Sequence, residues 1–218
     1  MLACETAGEK SRTGMMVKTA MLGAVGALLL AGALPAAAAD GDGNFAIDGA
    51  GTVTCDRFIE AYDGKTRDYY VYAGWVDGYV TATNQQQDET YDLTPWQTTE
   101  FLLDLVAQYC RANPKQKFIY GVTELLRYLY QGRLQELSEI AQIQHGSKGA
   151  YFYRATIQSV QEALAERSLF EGEADGVFDE EVAKSLARFQ GLSGLPETGW
   201  LDQRTLFALT KVNREKDD

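Results

Sequence analysis

Apart from its many acidic side chains, this chain has few residues that could carry out chemistry. It has a single histidine, His145, and three cysteines among 218 residues. Zinc enzymes use several His, Cys or carboxylate ligands, and most nucleophilic triads need a histidine as base. Carboxylate pairs can act in glycoside hydrolysis, but no acidic pair lies in an apolar setting that would separate two pKa values. Asp77, between Val76 and Gly78, comes nearest. The sequence therefore predicts no catalytic residue, no metal, no cofactor and no enzyme activity.

Cys55 and Cys110 are the cysteines that remain if the amino-terminal segment is removed. An even number of cysteines in an exported protein favours a disulfide. Closing a loop of this length stabilises a fold by about 4 kcal/mol on the chain-entropy model. A metal pair or a reactive thiol are the alternatives, but a zinc site or a catalytic cysteine would need a nearby histidine, and His145 lies in a Gly-rich stretch.

The amino terminus has the features of a secretory signal peptide. Lys18 precedes a short apolar run, and small residues follow up to Ala39. This pattern predicts a signal peptide over 1–39, cleavage after Ala39, and a periplasmic protein. Met15 or Met16 is an alternative start, and a flexible leader follows over 40–50. The net charge of −11 argues against nucleic acid and anionic lipid, so we expect no nucleic-acid partner and no membrane contact after cleavage.

A helical pattern fills residues 51–145, the first predicted domain. Apolar residues recur at helical spacing around Trp75, from Phe101 to Tyr109, and from Val122 to Leu129. Thr94-Pro95-Trp96-Gln97 has the composition of a helix start. A last helix is expected to carry Leu134, Leu137, Ile140 and Ala141. All twelve tyrosines lie between Tyr62 and Tyr153, where they could pack in the core or form a binding surface.

Three motifs in this domain carry a resemblance to a known group. They are Cys55-Asp-Arg-Phe58, Trp75-Val-Asp-Gly-Tyr79 and Tyr109-Cys110-Arg-Ala-Asn113-Pro114. They resemble the HdeA-like group of periplasmic helical domains, which includes acid-stress chaperones and immunity proteins that block cell-wall amidases. The resemblance implies a small helical fold tied by one disulfide, without catalysis.

The pattern changes after His145, which predicts a linker at 146–154 and a second helical domain at 155–211. A charged tail at 212–218 follows. Gly176 and Gly199 lie in two predicted tight turns, where glycine can take a positive φ. The turns separate three short amphipathic helices, the last capped by Asp202.

The second domain resembles the three-helix peptidoglycan-binding module found beside cell-wall hydrolases. The shared residues are Val160-Gln161 and Leu164, Asp175-Gly176-Val177-Phe178, Ala187 with Phe189-Gln190, Gly194-Leu195-Pro196, Thr198-Gly199 with Leu201-Asp202, and Thr205 with Leu209. The family usually has Gly and Thr where this chain has Asp179 and Val182, which concerns affinity more than fold. The resemblance implies non-covalent binding of peptidoglycan.

Trp200 is the best candidate for ligand contact, because a large ring in a turn between two bends is costly to expose without a use. It could stack on a sugar or hold a stem peptide. Polar contacts could come from Asp175, Gln190, Asp202 and Arg204. His145 is interpreted as a linker or helix-end residue.

The sequence thus predicts an all-α exported protein with a disulfide-bonded helical domain and a peptidoglycan-binding module. The predicted partner is peptidoglycan, with a cell-wall hydrolase or other periplasmic protein as a second partner. Two alternatives stay open: an inhibitor or immunity protein of a cell-wall amidase, and a periplasmic acid-stress chaperone.

Overall fold

Helices make up most of the described part of the chain. The computed structural model describes residues 40–214, with side chains up to Thr210, so the predicted signal peptide at 1–39 and most of the predicted tail lie outside the described residues. The residues from Ala46 onward form one compact unit. The described helices are α1 (Cys55–Gly64), α2 (Arg67–Gln86), α3 (Thr99–Ala112), α4 (Phe118–Leu129), α5 (Arg154–Ala165), α6 (Glu180–Leu192) and α7 (Gln203–Arg214). No helix within residues 40–214 is long and apolar enough to cross a membrane.

The first core lies among α1 to α4 and is centred on aromatic rings. Phe58 and Phe118 are fully buried, with ring centroids 4.6 Å apart. Tyr72 packs its ring edge against both, so part of the tyrosine set is core. The predicted disulfide is confirmed: Cys55, the first residue of α1, is bonded to Cys110 near the end of α3.

The third helix begins later than the sequence predicts. The expected start at Thr94–Gln97 is wrong, because α3 begins at Thr99 and Thr98 caps it by accepting a hydrogen bond from the Phe101 amide. The Thr94 amide instead donates to the Asp92 carboxylate. Trp96 packs on the core of the second domain, so a tertiary contact takes this segment out of the helix.

A β-hairpin replaces the helix expected from Leu134 to Ala141, so the all-α prediction is corrected to a helix-rich fold with one small sheet. Strands β1 (Ile140–His145) and β2 (Lys148–Tyr153) pair antiparallel around Gly146, which has a φ of +59°. Leu137 and Ile140 are exposed and only Ile143 of β1 is buried. Leu137 and Ile140 therefore do not form the buried face of a helix. The stretch 146–154, predicted as a linker, forms the turn, β2 and the first residue of α5.

The second core lies among α5, α6 and α7. Its fully buried side chains include Ile157, Leu164, Leu186, Leu206 and Leu209. The two departures from the family pattern both have structural roles. Asp179 caps α6 by accepting a hydrogen bond from the Val182 amide, at 2.9 Å, and the Val182 side chain is fully buried.

The two helical regions are joined by direct contacts as well as by the hairpin. The Gln203 amide at the start of α7 donates to the Trp96 carbonyl (2.6 Å) and accepts from the Thr98 amide (3.1 Å). Phe101 of α3 and Phe207 of α7 pack edge to face, 5.6 Å apart. Helix α7 therefore packs against the loop before α3 and against the first turn of α3.

Candidate functional site

Two tight turns shape the surface on which the candidate ligand residues lie. The first turn, Asp175–Phe178, precedes α6 and is held by Gln161 of α5, which is 1% exposed. The Gln161 amide nitrogen donates to the Asp175 carboxylate (3.0 Å) and to the Val177 carbonyl (3.1 Å). Its amide oxygen accepts from the Gly176 amide at 2.8 Å. One buried side chain therefore satisfies three groups of the turn.

Gly176 is required at this turn by geometry. Its φ is +72°, and a Cβ there would lie 2.8 Å from the carbonyl oxygen of Arg154. Asp175 is exposed, and its carboxylate accepts from Gln161 and from the Val177 amide. Those hydrogen bonds, the one from Gln161 first, lower the pKa of Asp175 below its usual value.

The second turn, Thr198–Leu201, repeats this arrangement before α7. Gln190 of α6 is fully buried, and its amide oxygen accepts from the Gly199 amide at 2.8 Å. Its amide nitrogen lies within hydrogen-bond distance of the Thr198 hydroxyl, the Trp200 carbonyl and the Thr205 hydroxyl. The polar atoms of Gln190 are thus directed at the turn and not at solvent.

Gly199 is enclosed as tightly as Gly176. Its φ is +63°, and a Cβ would lie 2.7 Å from the Ala183 carbonyl oxygen and 3.2 Å from Nε2 of His145. Thr198 takes the place that Asp175 has in the first turn, because its hydroxyl accepts from the Trp200 amide. Contacts with Gln190, Ala183 and His145 therefore restrain the turn backbone. They also fix the position of the Trp200 Cα atom, from which the side chain extends.

Three partly exposed rings meet beside these turns, and we call His145, Phe178 and Trp200 the Trp200 surface. The Phe178 and Trp200 centroids are 6.1 Å apart at 76°, and those of His145 and Phe178 are 6.3 Å apart at 78°. Each pair has the edge-to-face geometry that aromatic rings prefer. The surface thus draws one ring from each turn and one from the hairpin.

The other candidate residues lie at the start of α7 and in the first turn. Asp202 caps α7: its carboxylate accepts from the amides of Arg204 (3.1 Å) and Thr205 (2.9 Å). The Thr205 hydroxyl connects Asp202 to Gln190. Arg204 is exposed in the first turn of α7. The structure thus brings Gln190, Trp200 and Asp202 to the second turn and leaves Asp175 in the first.

Sequence reasoning missed two residues of this site. The sequence indicates a linker or helix-end residue at His145, yet this side chain lies against Gly199 and Phe178. Gln161 appeared only as a matched family residue, yet it has the same role as Gln190. The signal for His145 was the Gly146-Ser147 pair that follows it, since a Gly-Ser pair between two strands is typical of a hairpin turn.

The described side chains offer no evident place for a metal. Within residues 40–210, no three His, Cys, Asp or Glu side chains are grouped so that they could hold an ion. Chemically, the Trp200 surface presents ring edges and faces, an imidazole and nearby charged groups, which suits binding by stacking and hydrogen bonds.

Two family models match separate parts of the chain. A family model of a peptidoglycan-binding domain matches residues 153–209, and the HdeA/HdeB family model matches residues 20–120. No curated protein and no solved structure matches the chain. Neither family is a catalytic one, the HdeA family is periplasmic, and a peptidoglycan-binding domain supports binding to the cell wall. The chain is thus similar to the HdeA/HdeB family over residues 20–120 and to peptidoglycan-binding domains over residues 153–209.

Proposed function

We propose that this is an exported, non-enzymatic protein that binds peptidoglycan through the Trp200 surface and presents its disulfide-bonded helical region to a protein partner. One observation carries the proposal. Within the residues that match a peptidoglycan-binding domain, a fully buried glutamine holds a tight turn that leaves a tryptophan ring partly exposed. A turn fixed in this way presents the ring at little entropic cost on binding.

The candidate residues divide into contact and positioning roles in this proposal. Trp200 contacts the ligand, with Phe178 and His145 supporting its ring. Gln190 positions Trp200, since its own amide is buried and engaged by the turn. Arg204 supplies an exposed cation at the turn, while Asp202 and Asp175 hold the two turns and present carboxylates at their edges.

Co-sedimentation with purified sacculi tests this function. The protein without residues 1–39 is expected to pellet with sacculi, and Trp200→Ala is expected to weaken binding about tenfold, as stacking contacts of this size do. Val177→Ala is the matched control, because Val177 follows the glycine of the first turn and is 43% exposed. If the wild type stays in the supernatant, or if Trp200→Ala pellets as well as the wild type, the proposal is wrong.

The protein-binding role of the first region is supported by an exposed tyrosine and valine on α2. Tyr70 is 72% exposed and Val71 beside it is 57% exposed on α2, and tyrosine is enriched among residues that dominate binding energy. A pull-down from periplasmic extract with wild type and Tyr70→Ala should show a partner that the variant loses. A single stoichiometric cell-wall hydrolase would instead support the amidase-inhibitor hypothesis.

An acid-stress chaperone is the second candidate, favoured by the HdeA/HdeB match at 20–120. The contacts between α1 and α3 fit it: Asp104 accepts from the Tyr62 hydroxyl and Asp63 pairs with Arg111, both at 2.5 Å. The Cys55–Cys110 bond joins the same two helices, so it would keep them together where these contacts are lost. Suppression of client aggregation at about pH 2.5, where free carboxyl groups are protonated, would support this candidate, and unchanged aggregation would exclude it.

A further inference from the structure

A large cavity lies away from the Trp200 turn, between the first region and the peptidoglycan-binding domain. Its volume is about 820 Å³, within the range typical of small-molecule sites. The loop at Trp96, the end of α4 with the segment up to Leu134, and helices α5 and α7 line it. Both parts of the chain are therefore needed to form it.

The floor of the cavity is aliphatic and contains one polar atom without a partner. Val160, Ala163, Leu206 and Leu209 are each at most 4% exposed. Thr156 also lines the cavity and is 5% exposed, and its Oγ1 has no hydrogen-bond partner among the described residues. The Thr156 hydroxyl oxygen is closed off from solvent in this conformation, so a ligand reaches it only if the side chain rotates. Because a buried hydroxyl without a partner destabilises a fold, rotation toward a ligand that supplied the hydrogen bond would be favoured.

The rim of the cavity is positively charged in a chain of net charge −11. Arg127 and Arg133 line it, and none of the described lining residues is Asp or Glu. Arg133 is held in place: it stacks on the Tyr130 ring at 3.9 Å and donates to the carbonyls of Glu89 and Tyr130. Arg127 pairs with Glu124, at 2.7 Å, in an exposed contact that a ligand carboxylate could replace.

We propose that this cavity binds a short peptide with a free carboxylate and small aliphatic side chains. The arginines pair with the carboxylate, the aliphatic floor takes the side chains, and Thr156 hydrogen-bonds a peptide group. The stem peptide of peptidoglycan belongs to this class, so the assignment rests on the proposed function and refines it. The site differs from the Trp200 surface and includes residues of the HdeA/HdeB-type region.

Calorimetric titration of the protein without residues 1–39 tests the site. The probe is a synthetic stem pentapeptide, L-Ala-γ-D-Glu-L-Lys-D-Ala-D-Ala, compared with its carboxyl-terminal amide and with chitotetraose. We expect saturable binding of the pentapeptide, about tenfold weaker binding of the amide, as for loss of a charge-assisted contact, and none of chitotetraose. Absence of pentapeptide binding, or stronger binding of chitotetraose, would overturn the assignment.

Two variants, each with a control, separate a binding role from a structural one. Thr156→Val keeps the side-chain shape, so it should raise the melting temperature while weakening pentapeptide binding several-fold. Arg127→Gln should weaken binding about tenfold, whereas Arg57→Gln should not, although Arg57 has the same i,i+3 pairing with Glu60 and a similar exposure. Wild-type affinity in both Thr156→Val and Arg127→Gln would contradict the proposal.

Sacculus binding distinguishes this inference from the function on which it rests. If the wild type pellets with sacculi but does not bind the pentapeptide, only the cavity assignment fails. If it binds the pentapeptide but does not pellet, the cavity assignment stands and sacculus tethering fails.

Discussion

The two glycine turns of the peptidoglycan-binding domain are built alike but present different side chains. In each, a buried glutamine accepts from the glycine amide at 2.8 Å and donates to the side chain just before the glycine. In each, the glycine has a positive φ and a neighbouring carbonyl oxygen fills the space a Cβ would need. The first turn exposes Val177 and the second exposes part of Trp200.

The residues that the two turns share hold the domain together, whereas the residues that differ are accessible to a ligand. The shared glutamine and glycine are buried and determine the fold. The residue after the glycine is accessible in both turns. It is Val177 in the first turn and the larger Trp200 in the second. The two turns also differ in the residue before the glycine, since Asp175 titrates and Thr198 does not.

The largest effect should come from removing the glutamines. Gln190→Leu leaves the buried Gly199 amide without an acceptor and should lower the free energy of unfolding by about 3 kcal/mol. Gln161→Leu should lower it by about 2 kcal/mol, because Gln161 bonds only to its turn, whereas Gln190 also bonds to the Thr205 hydroxyl of α7. Urea unfolding measures both. Equal stability of either variant and the wild type would show that the hydrogen bonds do not hold the turns.

Adding a Cβ to each glycine tests whether the two turns are equally constrained. Gly176→Ala and Gly199→Ala should each cost about 2 kcal/mol, since both the positive φ and the close carbonyl oxygen oppose the methyl group. Gly146→Ala is the control: its φ is also positive, at +59°, but nothing lies within 4 Å of its Cβ position. It should cost less than either, as measured by thermal unfolding.

A smaller effect is expected from making the first turn resemble the second at its fourth residue. Phe178→Leu removes the ring that packs against Trp200 and His145, and the second turn already has Leu201 there. It should lower the free energy of unfolding by about 1 kcal/mol and weaken sacculus binding about threefold. Unchanged sacculus binding would mean that Phe178 does not orient Trp200.

Acid should weaken the first turn through the carboxylate of Asp175. The pKa of Asp175 is lower in the folded protein than in the unfolded chain, because Gln161 and the Val177 amide hydrogen-bond its carboxylate. Its stabilising effect is therefore present above the unfolded pKa of about 4 and is lost as the pH falls through the folded value. Amide chemical shifts of Val177 should titrate in that range, because the Val177 amide donates to the Asp175 carboxylate. Asp175→Asn should abolish the Val177 titration.

The sequence predicted those parts of the fold that depend on neighbouring residues. Helical periodicity located helices α5 and α6 and most of the first region, and the even cysteine count indicated the Cys55–Cys110 bridge. Local pattern failed between Leu134 and Tyr153, where a hairpin formed. There the backbone hydrogen bonds run between strands, and helical spacing of apolar residues does not reveal that pairing.

Only the parts of the candidate site that depend on local sequence could be predicted. Trp200 and the two glycines could be identified because turn chemistry is local. Gln190 was assigned a ligand contact, and its burial became visible only once the turn folded back over α6. His145 reaches the site through the hairpin, so no spacing within the module could indicate it.

By itself the sequence determined most of the helical segments and the positions of both turns, because these depend on residue type and short-range spacing, and its even number of exported cysteines indicated the bridge. Tertiary structure alone decided that two glutamines hold the turns, that His145 joins the Trp200 surface, and that Thr156 lies in a cavity beside two arginines. Those arrangements bring together residues far apart in the chain, and burial and hydrogen bonding at that range are fixed only when the whole chain packs.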